Sequence, residues 1–134
     1  MSTPSSPRRA LITGGSSGIG LAVAQAFSTA GYHVTIAGRT VSRLKDTGFN
    51  FVEMDVTDEQ SIIDGVKAAG PVDIFVANAG SAATAPALNT DRETWDRMIA
   101  LNLTSFYLCA RETIPQMKEH GWGRFVAIAS TASL

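Results

Sequence analysis

The chain has 134 residues, 45% of them apolar and 17% charged, with a formal net charge of -1 at pH 7; this allows one domain with a real core and lacks the basic excess that nucleic acid or an anionic membrane would call for. No apolar run approaches the roughly 18 residues needed to span a bilayer, and residues 1–7 lack the apolar stretch of a secretory signal and are expected to form a flexible tail. The single Cys109 excludes an internal disulfide, fits a reducing, cytoplasmic setting and, with no His cluster beside it, gives no metal site.

Ala10-Leu11-Ile12 reads as a first strand, Thr13-Gly14-Gly15-Ser16-Ser17-Gly18-Ile19-Gly20 as a glycine-rich turn, and Leu21 to Phe27 as a helix that Gly31 ends. Strand, turn and helix N-terminus make a pyrophosphate cradle. Gly14 permits the tight turn, Gly18 lets backbone approach the ligand, and Gly20 lets helix and strand pack closely. The helix's first N–H groups, unpaired within the helix, then face the anion.

Tyr32 to Ala37 is a second strand closing at Gly38, and Val41 to Lys45 a short helical link. At this strand end a carboxylate would grip a ribose 2′-hydroxyl; Gly38 supplies none, and Arg39 offers a planar guanidinium suited to a 2′-phosphate, which favours NADP over NAD. Phe49 to Met54 is a third strand, followed by Asp55, whose carboxylate can accept from an adenine amino group or serve as a plain turn or cap residue. Thr57 to Gln60 has capping-box spacing and starts a helix running to about Ala69, stopped by Gly70-Pro71.

Val72 to Ala77 is a fourth strand, ending in Asn78-Ala79-Gly80, small enough to lie against a nucleotide ribose. Ser81 to Asn89 is a loop of small residues. Thr90 to Glu93 is a second capping box, opening one long helix to about His120. On it Trp95, Met98, Ile99, Phe106 and Cys109 recur at helical spacing as a core-facing stripe with Asn102 in its middle. The amide is therefore expected to be buried, either tying down backbone or organising water beside a catalytic centre. Gly121-Trp122-Gly123 breaks the helix, and Arg124 to Ala129 is a fifth strand that delivers the Ser130 hydroxyl to the same rim. Near-continuous apolar strands alternating with helices imply a parallel, doubly wound α/β sheet covered on both faces.

Together these positions resemble the classical short-chain dehydrogenase/reductases over nearly the whole chain. Thr13 to Gly20 matches that family's Thr-Gly-x-x-x-Gly-x-Gly pattern, Asp55 its adenine-contacting Asp, Leu101-Asn102-Leu103 the segment bearing its active-site Asn, and Ser130 its catalytic Ser. Asn78-Ala79-Gly80 matches the last three residues of its Asn-Asn-Ala-Gly motif, with Ala77 where the first Asn would stand. The resemblance implies a Rossmann domain over residues 8–134 with strand order 3-2-1-4-5. It implies a cofactor set of Gly14, Ser16, Ser17, Gly18, Ile19, Gly20, Arg39, Asp55, Val56, Asn78, Ala79 and Gly80, with Ser130 and Asn102 catalytic. It also implies hydride exchange between NADP(H), in preference to NAD(H), and a small ketone or secondary alcohol, and a homodimer or homotetramer built through the helix at 91–120.

In that family Ser holds the substrate carbonyl, a Tyr protonates it, a Lys four residues later binds ribose and lowers the Tyr pKa, and Asn holds a water linking the Lys to solvent. No Tyr-x-x-x-Lys occurs in this chain, and Tyr107 with Arg111 is its nearest imitation. The expectation is that these residues are the front part of a longer enzyme, inactive alone. The alternative is a nucleotide-binding or interaction module without catalysis.

Overall fold

The computed structural model describes residues 6–81, 83 and 85–130. Most of the expected tail, Ala82 and Thr84 of the small-residue loop, and residues 131–134 lie outside them. Five parallel strands form one sheet in the order β3-β2-β1-β4-β5: β1 (Arg9–Thr13), β2 (His33–Gly38), β3 (Asn50–Glu53), β4 (Ile74–Ala77) and β5 (Arg124–Ala127). The helices are α1 (Gly18–Thr29), α2 (Val41–Asp46), α3 (Glu59–Ala69), α4 (Arg92–Ile99) and α5 (Ser105–Glu119).

Alternation along the central strands builds two cores. Ala10 and Ile12 of β1 pack with Val34, Ile36, Ile74 and Val76, against Ala24 of α1 and Leu44 of α2. Leu11 points the other way and joins Phe75, Ala77 and Met54 against Ile62 and Val66 of α3 and Cys109 and Met117 of α5. Because β1 and β4 are covered on both faces, nearly every residue in them is apolar, which is why they read as continuous runs. In-register pairing of Ala10, Leu11 and Ile12 with Ile74, Phe75 and Val76 brings the ends of β1 and β4 level, and the glycine turn and Asn78 face each other there.

The expected helix from 90 to 120 is interrupted: between α4 and α5 lies a π-helical segment, Ala100–Thr104. Two side chains take carbonyls of this stretch, Asn102 Nδ2 donating to Met98 O at 3.1 Å and Ser105 Oγ to Leu101 O at 2.7 Å. A side-chain donor on the i-4 carbonyl competes with the backbone ladder and favours the wider turn. The extra residue rotates everything before it relative to α5. Phe106 and Cys109 do face the core, whereas Trp95 and Ile99 are exposed. Asn102 is exposed too, so its expected burial does not hold.

Both caps fall one residue later than the capping-box spacing predicts. Asp58 caps α3 by accepting from Ser61 N–H at 3.2 Å, and Asp91 caps α4 by accepting from Thr94 N–H at 2.7 Å. The Thr hydroxyls are committed elsewhere: Thr57 donates to Asp55 Oδ1 at 2.6 Å and Thr90 to Pro86 O at 3.2 Å.

Candidate functional site

An open cleft of about 1260 Å³ runs along the carboxyl ends of the strands. Of the residues expected to bind cofactor or act in catalysis, Gly14, Ser16, Ser17, Ile19, Arg39, Asp55, Val56, Asn78, Ala79, Gly80, Asn102 and Ser130 all line it, while Gly18 and Gly20 do not. Gly20 acts from behind the surface, whereas Gly18 is exposed at the start of α1.

Gly14 has φ +64°, and its N–H donates to Ala37 O at 2.9 Å, tying the turn to the end of β2. Gly20 is buried, and a Cβ there would lie 2.2 Å from Gly14 O and 2.5 Å from Asn78 Nδ2. The close packing expected of Gly20 is thus against the turn itself and the Asn78 side chain, not against the strand. Asn78 Nδ2 donates to Gly14 O at 3.2 Å, closing the contact from the β4 side. α1 begins inside this turn with no side-chain cap on its first amides and no acid in its first turn. An uncapped helix N-terminus without a nearby carboxylate suits an anionic ligand.

Thr13 was not among the expected site residues, yet it fixes the geometry. Its hydroxyl is buried, accepts from the N–H groups of Asn78 at 3.0 Å and Ala79 at 3.1 Å, and reaches Val76 O at 3.4 Å. This one oxygen holds the β4 exit against the β1 exit. The signal for it was the Thr that opens the glycine pattern.

At the β3 end, Asp55 Oδ1 accepts from both the N–H of Thr57, at 2.9 Å, and its hydroxyl, at 2.6 Å. The Thr57 hydroxyl is the main cause holding the Asp55 carboxyl below the usual carboxylate range; burial opposes it, and the Thr57 amide and the Arg39 charge act in the same direction as the hydroxyl. Asp55 is therefore an ionised acceptor at neutral pH. It organises the turn that follows β3 and also lines the cleft. The cleft carries three cations, Arg39, Arg43 and Arg97, and Asp55 as its single acid among the described residues. Arg43 and Arg97 were not anticipated; they were concealed in segments read for their helical pattern.

At the opposite end, Asn102 pairs with the peptide of Ser81 in both directions: Ser81 N–H donates to Oδ1 at 3.2 Å and Nδ2 donates to Ser81 O at 2.8 Å. Gly80 makes this possible, because a Cβ there would stand 2.9 Å from Oδ1. So Asn102 does reach backbone at the rim, as an exposed clip on the loop after β4. Asn102→Leu is expected to speed amide exchange at Ser81 about tenfold, the loss of one exposed bond worth ~1–1.5 kcal/mol; unchanged exchange would mean that the clip does not hold the loop. Ser130 lies beyond β5 on the same cleft, carried there by Ile128 N–H donating to Ala77 O at 3.0 Å.

Cys109 faces the core, where burial first and the Glu112 carboxylate second push its thiol up to about 12, leaving it unreactive at neutral pH. Among the described residues no group of three His, Cys, Asp or Glu could hold a metal ion, and no helix is long and apolar enough to cross a membrane.

The family model for short chain dehydrogenase matches residues 8–134. Among curated proteins, the chain is 33% identical over 138 residues to gluconate 5-dehydrogenase of Gluconobacter oxydans, covering 93% of this chain and 54% of that protein. It is 36% identical over 142 residues to D-beta-hydroxybutyrate dehydrogenase of Rhizobium meliloti, covering 95% and 55%. Among solved structures, actinorhodin polyketide ketoreductase with NADPH superposes with a TM-score of 0.86 at 30% identity, over 94% of this chain and 54% of that one. The chain spans about half the length of the curated relatives it matches.

Proposed function

This chain belongs to the short-chain dehydrogenase/reductase family, and on that premise we propose that it serves an NAD(P)-dependent oxidoreductase that interconverts a ketone and a secondary alcohol, with NADP(H) preferred over NAD(H). The observation that carries the cofactor choice is the charge of the cleft, three arginines against one carboxylate in a chain of net charge -1. A dinucleotide with an added 2′-phosphate is the more anionic of the two candidates, and at the end of β2, where an NAD enzyme would place a ribose-gripping acid, Gly38 supplies none and Arg39 supplies a guanidinium. The relative whose structure contains NADPH supports the same choice.

In this reading the α1 amides and the turn around Ser16, Ser17 and Ile19 take the pyrophosphate, Asp55 and Val56 the adenine, and Asn78 to Gly80 the adjoining ribose. The nicotinamide, when bound, supplies or accepts the hydride. Ser130 donates its hydroxyl to the carbonyl oxygen of a small-molecule substrate, and Asn102 fixes the loop that faces it. A module that only bound nucleotide would need neither of them beside the cradle. Homo-oligomerisation through residues 91–120 is part of the proposal, supported by Trp95, Leu103 and Tyr107, which remain 58%, 63% and 62% exposed. So is a cytoplasmic location.

Arg39→Ala tests the cofactor choice. Losing a charge-assisted contact to the 2′-phosphate removes roughly 1.5–3 kcal/mol, or about 10- to 150-fold in NADPH affinity, while NADH affinity stays near its starting value. Titration of the variant with both cofactors reads this directly. NADPH binding that weakens no more than NADH binding would overturn the assignment.

A further inference from the structure

Within α2, Leu44 is fully buried and packs its Cδ2 over Gly38, so that a Cβ on Gly38 would lie 3.2 Å away. That contact fixes the rotation of this short helix. Its exposed residues are Ser42, Arg43, Lys45 and Asp46, and of these only Arg43 lines the cofactor cleft. Neither Arg39 nor Arg43 has an ion pair among the described residues, whereas Arg92 and Arg111 are both paired with acids. Two unpaired guanidiniums, four residues apart, therefore flank the end of β2.

A ribose 2′-phosphate carries a charge near -2 at neutral pH, since its second pKa lies near 6. Asp55 lines the same cleft as Arg39, and its carboxyl feels the Arg39 charge, so an approaching dianion meets one acid beside that one guanidinium. Arg39 alone gives this corner no excess of positive charge. Arg43 supplies the missing excess, with a second planar fork able to take phosphate oxygens that Arg39 does not.

We propose that Arg43 is a second specificity-determining residue for the 2′-phosphate, clamping it together with Arg39. This rests on the NADP(H) reading above and extends it to a residue of α2. Adenosine 2′,5′-bisphosphate and adenosine 5′-monophosphate are the probes, because they differ only in the group at issue. Their affinities are measured by calorimetry for the full chain and for Arg43→Ala, Arg43→Lys, Lys45→Ala and Arg39→Ala.

Arg43→Ala is expected to weaken the bisphosphate about tenfold or more and to leave the monophosphate unchanged, which also reports that the site is intact. Arg43→Lys keeps the charge and loses the fork, and is expected to fall between. Lys45→Ala removes the same charge from the same helix away from the cleft and should change neither ligand. If the wild type prefers the bisphosphate, Arg39→Ala abolishes that preference and Arg43→Ala does not alter it, the clamp is wrong and the NADP(H) reading stands. If Lys45→Ala acts as strongly as Arg43→Ala, a general field replaces the contact and the clamp is again wrong. If the wild type shows no preference, both fall.

Discussion

Gly20→Ala is expected to weaken NADPH binding about a hundredfold, equivalent to ~2.7 kcal/mol, and to lower Tm at the same time. The new methyl would stand 2.2 Å from Gly14 O and 2.8 Å from Gly14 C, and both are backbone atoms with no rotamer to escape into. Gly14 cannot swing aside, because its N–H is bonded to Ala37 O at 2.9 Å and its carbonyl to Asn78 Nδ2 at 3.2 Å. The strain must instead displace α1 from the turn. Overpacking of this kind typically costs about 1–3 kcal/mol of stability, and the displaced amides are the ones proposed to meet the pyrophosphate.

Gly18→Ala provides the contrast. Gly18 has φ +55°, but a Cβ there meets no protein atom within 4 Å, so its cost to stability is the backbone term alone, roughly 1–2 kcal/mol, and any larger loss in NADPH binding than in stability reports contact with the ligand. Fluorescence titration and thermal melts of the two variants decide the matter. Gly20→Ala binding NADPH as tightly as the wild type would show that the turn is looser than its hydrogen bonds require.

The sheet was largely legible in the sequence because β1 and β4 are buried on both faces, so that their central residues are all apolar and leave little ambiguity. The cleft followed, since turns at strand ends are anchored by those strands. The details that went astray were decided by competition between neighbours. Thr57 and Thr90 had the spacing of caps, but Asp55 and the Pro86 carbonyl had prior use of their hydroxyls, and the next Asp took each cap. The helical stripe around Asn102 failed differently. A wheel drawn at one fixed pitch through residues 91–120 cannot foresee a π-helical turn, and that single extra residue turned Trp95 and Ile99 outward while Phe106 and Cys109 stayed inward. Arg43 was hidden by a third effect: a six-residue helix carries too little periodicity to reveal which face meets a ligand until Leu44 is seen to anchor it.

The 134 residues alone are expected to reduce no ketone above background even with NADPH in excess. Reduction needs a proton for the carbonyl oxygen, and the described residues lining the cleft include no Tyr, Lys, His or Cys. Asp55 is held ionised by Thr57 and is no proton source at neutral pH. Arg39, Arg43 and Arg97 do not release protons in that range. Of the two tyrosines, Tyr32 precedes β2, at the end of the sheet away from the cleft, and stacks edge-on to Phe27 with ring centroids 5.1 Å apart. Tyr107 is exposed on α5, where the Arg111 guanidinium lies 5.8 Å from its ring centroid. Ser130 can donate a hydrogen bond to a carbonyl but is far too weak an acid to replace a tuned Tyr. General acid catalysis is typically worth 10²–10⁴ in rate, and the loss is compounded without a Lys to hold the ribose. The comparison is NADPH oxidation, across a panel of ketones, by the 134-residue chain and by a version extended to the length of its relatives and carrying Tyr-x-x-x-Lys. Cofactor binding should survive in the short chain and turnover should appear only in the long one. Robust turnover by the short chain would move the proton donor to Tyr107 or another group of its own and take the active site away from Ser130.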